Sequence, residues 1–84
     1  MYKNRNHDGS LNICGNNIAR MRKAMQPRMS QRMLADRLQL AGLDLDKNAI
    51  SKREAGQRFV TDIELKAFAA VFGVSADDLL RSDI

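Results

Sequence analysis

The sequence predicts an all-α protein, with five short helices in a compact domain over residues 16–84 and a flexible N-terminal arm over residues 1–15. Three observations predict it. Apolar residues recur at helical spacing along most of the chain. A helix-start pattern occurs four times, and glycine follows three of the segments it opens. Only one Pro and five Gly interrupt 84 residues, and no run carries a strand signal.

The totals bound what such a domain does. At 84 residues the chain forms one small domain, with a modest core that depends on capping and close helix contacts. Hydrophobic content of 44% supplies that core, and 29% charged residues keep its surface in water. No run approaches the ~18 apolar residues of a membrane span, so no membrane partner is expected. The N-terminus has no apolar run after its basic residues and does not read as a signal peptide. Cys14 is the single Cys and His7 the single His. An internal disulfide and a Cys/His zinc set are both excluded, and no cofactor is expected. A cytoplasmic, reducing location suits this usage. The charge is uneven. Residues 1–60 hold twelve Lys/Arg against five Asp/Glu, net +7, and residues 61–84 hold two against five, net −3. Such a dipolar layout suits a polyanion on the basic side.

The elements follow in order. Met1–Ser10 is polar and aperiodic, which reads as the arm proper. Tyr2, Lys3 and Arg5 give it the makings of a nucleic-acid contact, against the plainer reading of a disordered terminus. Leu11, Ile13 and Cys14 are apolar enough to dock on the domain. Ile18, Met21 and Met25 recur at i, i+3 and i+7 and mark the first helix, with Asn16 or Asn17 as its cap. Pro27 ends it, because the residue before a proline is driven from helical angles.

Then comes the repeated pattern: an apolar residue, a capping residue, three variable positions and a second apolar residue. It occurs as Met29-Ser30 with Leu34, Leu45-Asp46 with Ile50, Val60-Thr61 with Leu65, and Val74-Ser75 with Leu79. Each is a hydrophobic staple around an N-cap, and Thr61 with Glu64 adds a capping box. With Gly42, Gly56 and Gly73 as stops, helices are expected over 31–41, 47–55, 62–72 and 76–81. Leu65, Phe68, Ala69 and Phe72 form an apolar stripe on the fourth. Leu80 and Ile84 either complete the core or meet a second copy of the chain.

The third helix carries the chemistry. At about 100° per residue, Lys47, Ser51, Asn48 and Lys52 share an arc of roughly 140°, which offers only hydrogen-bonding groups and positive charge. Ala49, Arg53 and Ile50 share another arc that faces inward. An ordinary amphipathic surface helix fits this pattern. So does a helix that lies in a DNA major groove.

The sets Ser30-Gln31…Leu34-Ala35…Leu38, Ala49-Ile50-Ser51…Glu54-Ala55-Gly56 and Val71-Phe72-Gly73-Val74-Ser75…Leu79-Leu80 decide between them. In this order, over about residues 16–81, the chain resembles the lambda-repressor and Cro-like helix-turn-helix family. The resemblance implies a five-helix lambda-repressor-like domain that binds double-stranded DNA. It implies that Leu34, Ala35 and Leu38 face the recognition helix, residues 47–55. Gln31 would bond a phosphate or brace a recognition side chain. Lys47, Asn48, Ser51 and Lys52 would face the groove, where Asn pairs with adenine and Lys reaches guanine or a phosphate. Arg58 would hold the DNA backbone. Arg22 and Glu54 would form a structural ion pair.

The chain departs from the family pattern in three places. The connection from Gln39 to Asp46 is about five residues longer than the usual turn. Arg53 stands where an apolar residue is usual, and must either snorkel out or pair with an acid. Ala55 replaces a frequent Asn.

The expected function is sequence-specific DNA binding by a transcriptional regulator, a repressor ahead of an activator, with a homodimer as the natural form on a palindromic site. The alternative is a protein-interaction module, antitoxin-like or anti-regulator, that keeps the fold and reads a protein surface. No enzyme is expected, since Cys14 and His7 lie in or beside the arm and no rigid carboxylate pair or phosphate-cradling glycine loop accompanies them.

Overall fold

Four helices begin where a Ser, Thr or Asp side chain takes up a backbone N–H that the helix leaves without a partner. In the computed structural model, which describes residues 5–81, the helices are α1 (Gly15–Ala24), α2 (Gln31–Leu40), α3 (Lys47–Glu54), α4 (Asp62–Phe72) and α5 (Ala76–Leu80). Ser30 Oγ accepts from the N–H of Met33 at 3.1 Å, and Asp46 Oδ1 from that of Ala49 at 2.8 Å. Thr61 with Glu64 and Ser75 with Asp78 each close a reciprocal capping box. The staple residues behind these caps are core: Met29, Leu34, Ile50 and Leu79 are buried, and Leu45, Val60, Leu65 and Val74 pack against them.

α1 starts differently from the sequence expectation. Asn16 and Asn17 do not cap it, and both lie inside the helix. Cys14 occupies the cap position without a side-chain capping bond, and Asn12 Oδ1 instead accepts the N–H of Gly15 at 2.8 Å. Asn17 is buried for another purpose. Its Nδ2 donates to the carbonyls of Leu79 at 2.8 Å and Arg81 at 2.6 Å, so α1 holds one carbonyl near the end of α5 and one just past it. The end of α1 is clean: Met25 is extended, two residues before Pro27.

α2 and α3 both end in a closure in which the N–H two residues past the cap returns to the carbonyl three residues before it. Leu43 N–H bonds Leu38 O at 2.9 Å, and Gln57 N–H bonds Lys52 O at 2.9 Å. The longer Gln39–Asp46 connection is thereby explained: α2 ends at Leu40, turns at Ala41-Gly42, and continues through Leu43 and Leu45, which pack on the core.

Ile18, Met29, Leu34, Leu38, Ile50, Phe68 and Leu79 fill the centre. α3 lies against α1 and α2, α4 packs on α1 and α2 as well, and α5 packs on α1 and α4. No strand occurs among the described residues. Tyr2, Lys3 and Ile84 lie outside the described residues.

Candidate nucleic-acid interface

An isolated helix of eight residues is well below the ~12–15 that water tolerates, so α3 exists because its neighbours hold it. Ile50, its one fully buried residue, contributes about 1.5–3 kcal/mol by burial. Polar ties hold its second half. Glu54 accepts from Arg22 Nε at 2.7 Å and Nη2 at 3.0 Å, and from Gln31 Nε2 at 2.9 Å. Arg22 is buried and also donates to Met29 O at 3.1 Å. The structure thus brings together Arg22 and Glu54, and adds Gln31 as a brace on the same carboxylate.

Arg53 is the second tie. Half-buried, it forks onto Glu64, with Nε to Oε1 at 3.0 Å and Nη2 to Oε2 at 3.2 Å. A third donor, Nη1, bonds Ala49 O one turn back at 3.0 Å. Glu64 also accepts the N–H of Thr61, so one carboxylate caps α4 and anchors α3. A planar guanidinium matches a carboxylate in this two-pronged way, which is how a charged residue is tolerated on an inward arc.

The two inward ties leave the outer face of α3 without an acid. Lys47, Asn48, Ser51 and Lys52 are all exposed. Among the described residues the ion pairs are Arg22–Glu54 and Arg53–Glu64, so neither Lys47 nor Lys52 is neutralised by a partner. Arg58 is exposed just past α3. At the start of α2, Ser30 takes up the N–H of Met33, while those of Gln31 and Arg32 have no protein partner among the described residues. Free N–H groups at a helix N-terminus suit an anion such as phosphate. The surface therefore offers cations, amide and hydroxyl groups on one helix and open N–H donors on the next.

Sequence reasoning missed two residues that shape this surface. Gly15 lies so close to the end of α3 that a Cβ there would sit 2.3 Å from Arg53 O and 2.9 Å from Glu54 O. Asn12 Nδ2 donates to the carbonyls of Arg53 at 3.0 Å and Arg58 at 2.8 Å. Neither contact has a local signature, since each joins positions about forty residues apart.

Comparison with curated proteins and with solved structures gives no match. A helix-turn-helix family model matches residues 18–79, more than half of the chain, from within α1 to within α5. The family is one of DNA-binding transcription regulators. With its order of helices, the brace between the second and third, and this match, the chain belongs to the lambda-repressor/Cro-like helix-turn-helix family.

Proposed function

We propose that this protein binds double-stranded DNA sequence-specifically through α3, and that it acts as a transcriptional repressor. The observation that carries the reading is the outer face of α3, where Lys47, Asn48, Ser51 and Lys52 are exposed while both inward-facing charges, Arg53 and Glu54, are consumed by ion pairs. In the major groove Asn48 is suited to the two hydrogen-bonding atoms of an adenine edge, and Lys47 and Lys52 to guanine acceptors or a phosphate. Ser51 adds a short donor or acceptor between them. The open N–H groups of Gln31 and Arg32 and the side chain of Arg58 are suited to the DNA backbone, which fixes register without reading sequence. Gln31 itself serves as the brace on Glu54.

Occupying a site is enough to repress, whereas activation needs an additional contact with the transcription machinery. A two-fold dimer is the expected form on a palindromic site. Exposed Phe59, Ile63 and Leu80 offer apolar surface for a second copy. The cytoplasm is the compartment in which this binding operates. No helix among the described residues is long and apolar enough to cross a membrane.

Selection from a random duplex library tests the reading. The parent chain enriches a motif, and symmetry in that motif reports the dimer. Lys47, Asn48 and Lys52 changed together to Ala remove the preference while the melting temperature changes little. If the triple variant keeps the full preference, α3 is not the reading element.

A further inference from the structure

Arg58 is exposed, and neither its guanidinium nor its backbone N–H has a hydrogen-bond partner among the described residues. Its single hydrogen bond among the described residues is through its carbonyl oxygen, which accepts from Asn12 Nδ2 at 2.8 Å. The same nitrogen donates to Arg53 O at 3.0 Å, where α3 ends. The Asn12 oxygen accepts the N–H of Gly15 at 2.8 Å, and the adjoining Leu11 N–H donates to Gly56 O at 2.8 Å. One amide therefore spans the turn by which the chain leaves α3, and ties both of its ends to the start of α1.

The chemistry at position 12 is narrow. Two carbonyls need two protons, and the Gly15 N–H needs an acceptor, all from one short side chain. Asn supplies that inventory in a single plane. An Asp would set a carboxylate against two carbonyl oxygens, and a Ser would offer one proton to two acceptors.

We propose that Asn12 is a positioning residue for DNA-backbone contact, acting through Arg58. It fixes the backbone from which the Arg58 side chain departs, so that the guanidinium meets a phosphate beyond the end of α3. The proposal rests on the DNA-binding reading given above. It makes residues 11–15 part of the interface without any of them touching DNA.

A double-variant cycle on the full chain tests it, with the duplex pool enriched by the parent and a scrambled duplex as the two probes. Affinity is measured across a range of salt concentrations at a temperature where circular dichroism shows each variant folded. R58A lowers the slope of log affinity against log salt by about 0.9, the value of one phosphate contact. N12A lowers it in the same sense, up to that amount. In the R58A background, N12A produces no further fall. The ratio of affinities for enriched and scrambled duplex stays that of the parent in all three.

Unchanged slope in N12A overturns the proposal, as does a fall that adds to that of R58A, or a changed affinity ratio. If N12A does not fold, N12S carries the same cycle. Failure of both to fold makes Asn12 a strut of the fold and overturns the proposal too. No shift of either duplex by the parent defeats the DNA reading itself. Binding by the parent with additive variants defeats this proposal alone.

Discussion

Replacing Glu54 by Ala removes the one carboxylate on which Arg22 and Gln31 converge. The magnitude follows from the geometry. Both charged side chains are only 9% exposed, so solvent screens the pair little. Removing one partner of a buried pair costs about 3–5 kcal/mol, because it leaves the other charge out of water without compensation. Arg22 keeps its bond to Met29 O, and half-buried Gln31 is free to turn to water, which favours the lower end, about 3 kcal/mol. A domain of this size has a total stability of about 4–13 kcal/mol, so the loss is a large share of it. It lowers the melting temperature by about 12 °C or more. Urea unfolding followed by circular dichroism measures it. The pair Arg22→Met with Glu54→Leu is the control: it removes both charges together, and recovers most of what Glu54→Ala loses. A loss under about 1 kcal/mol would place this pair with solvent-screened surface bridges and refute the reasoning. So would a double variant no more stable than Glu54→Ala.

Four other outcomes are expected. Gly15→Ala forces α1 from the end of α3 and lowers stability by about 1–3 kcal/mol, measured by the same urea titration, because the atom in the way is a backbone carbonyl that cannot step aside. Asn17→Ala leaves the carbonyls of Leu79 and Arg81 without their donor and costs about 1–3 kcal/mol, with amide exchange rising first in α5. Burial pushes the Cys14 thiol up, so the folded state holds that proton more tightly. Its contribution is present below the unfolded value of about 8.5 and is lost as pH rises towards the higher folded value, a slope that Cys14→Ala flattens in melts taken against pH. The Ser75 N–H and hydroxyl hold the Asp78 carboxyl below the usual range. Its contribution is present above about pH 3.9 and is lost as pH falls through the lower folded value, and Asp78→Asn removes this part of the acid unfolding profile.

The helix starts were legible because their physics is local. Ser30, Asp46, Thr61 and Ser75 each sit within three residues of the N–H they satisfy, so composition and spacing alone locate them. The start of α1 was not, because its cap comes from Asn12, upstream of the residues that read as caps, and Asn17 is spent on carbonyls more than sixty residues away. Helical spacing alone puts Arg53 on the inward arc of α3, where it lies, and leaves open whether it leans outward or finds an acid. That choice depended on Glu64, which lies on another helix and reads in sequence only as half of a capping box. The exposure of Lys47, Asn48, Ser51 and Lys52 follows from helical period. The turn that presents Arg58 does not, because it is set by bonds to backbone oxygens, and a carbonyl carries no mark in the sequence.

The distribution of ties along α3 bears on the long connection before it. Ile50 anchors the middle of the helix, while Arg53, Glu54 and the close approach of Gly15 anchor its end. Lys47 and Asn48, at its start, have no such tie, and Asp46 fixes only the cap itself. A helix held at its middle and C-terminal end is a rigid rod once its turns are hydrogen-bonded, so the approach to its first residue does not set its direction. The extra residues between Gln39 and Asp46 are accordingly taken up by the turn at Ala41-Gly42 and by Leu43 and Leu45 settling on the core. The same distribution explains where the charge goes. Arg53 and Glu54 are the residues that hold α3, and holding it consumes them, so the face left outward carries cations and no acid. Anchoring and an electropositive surface are two results of one arrangement, which is why exchanging the inward charges would disturb the outer face of α3 without touching a residue on it.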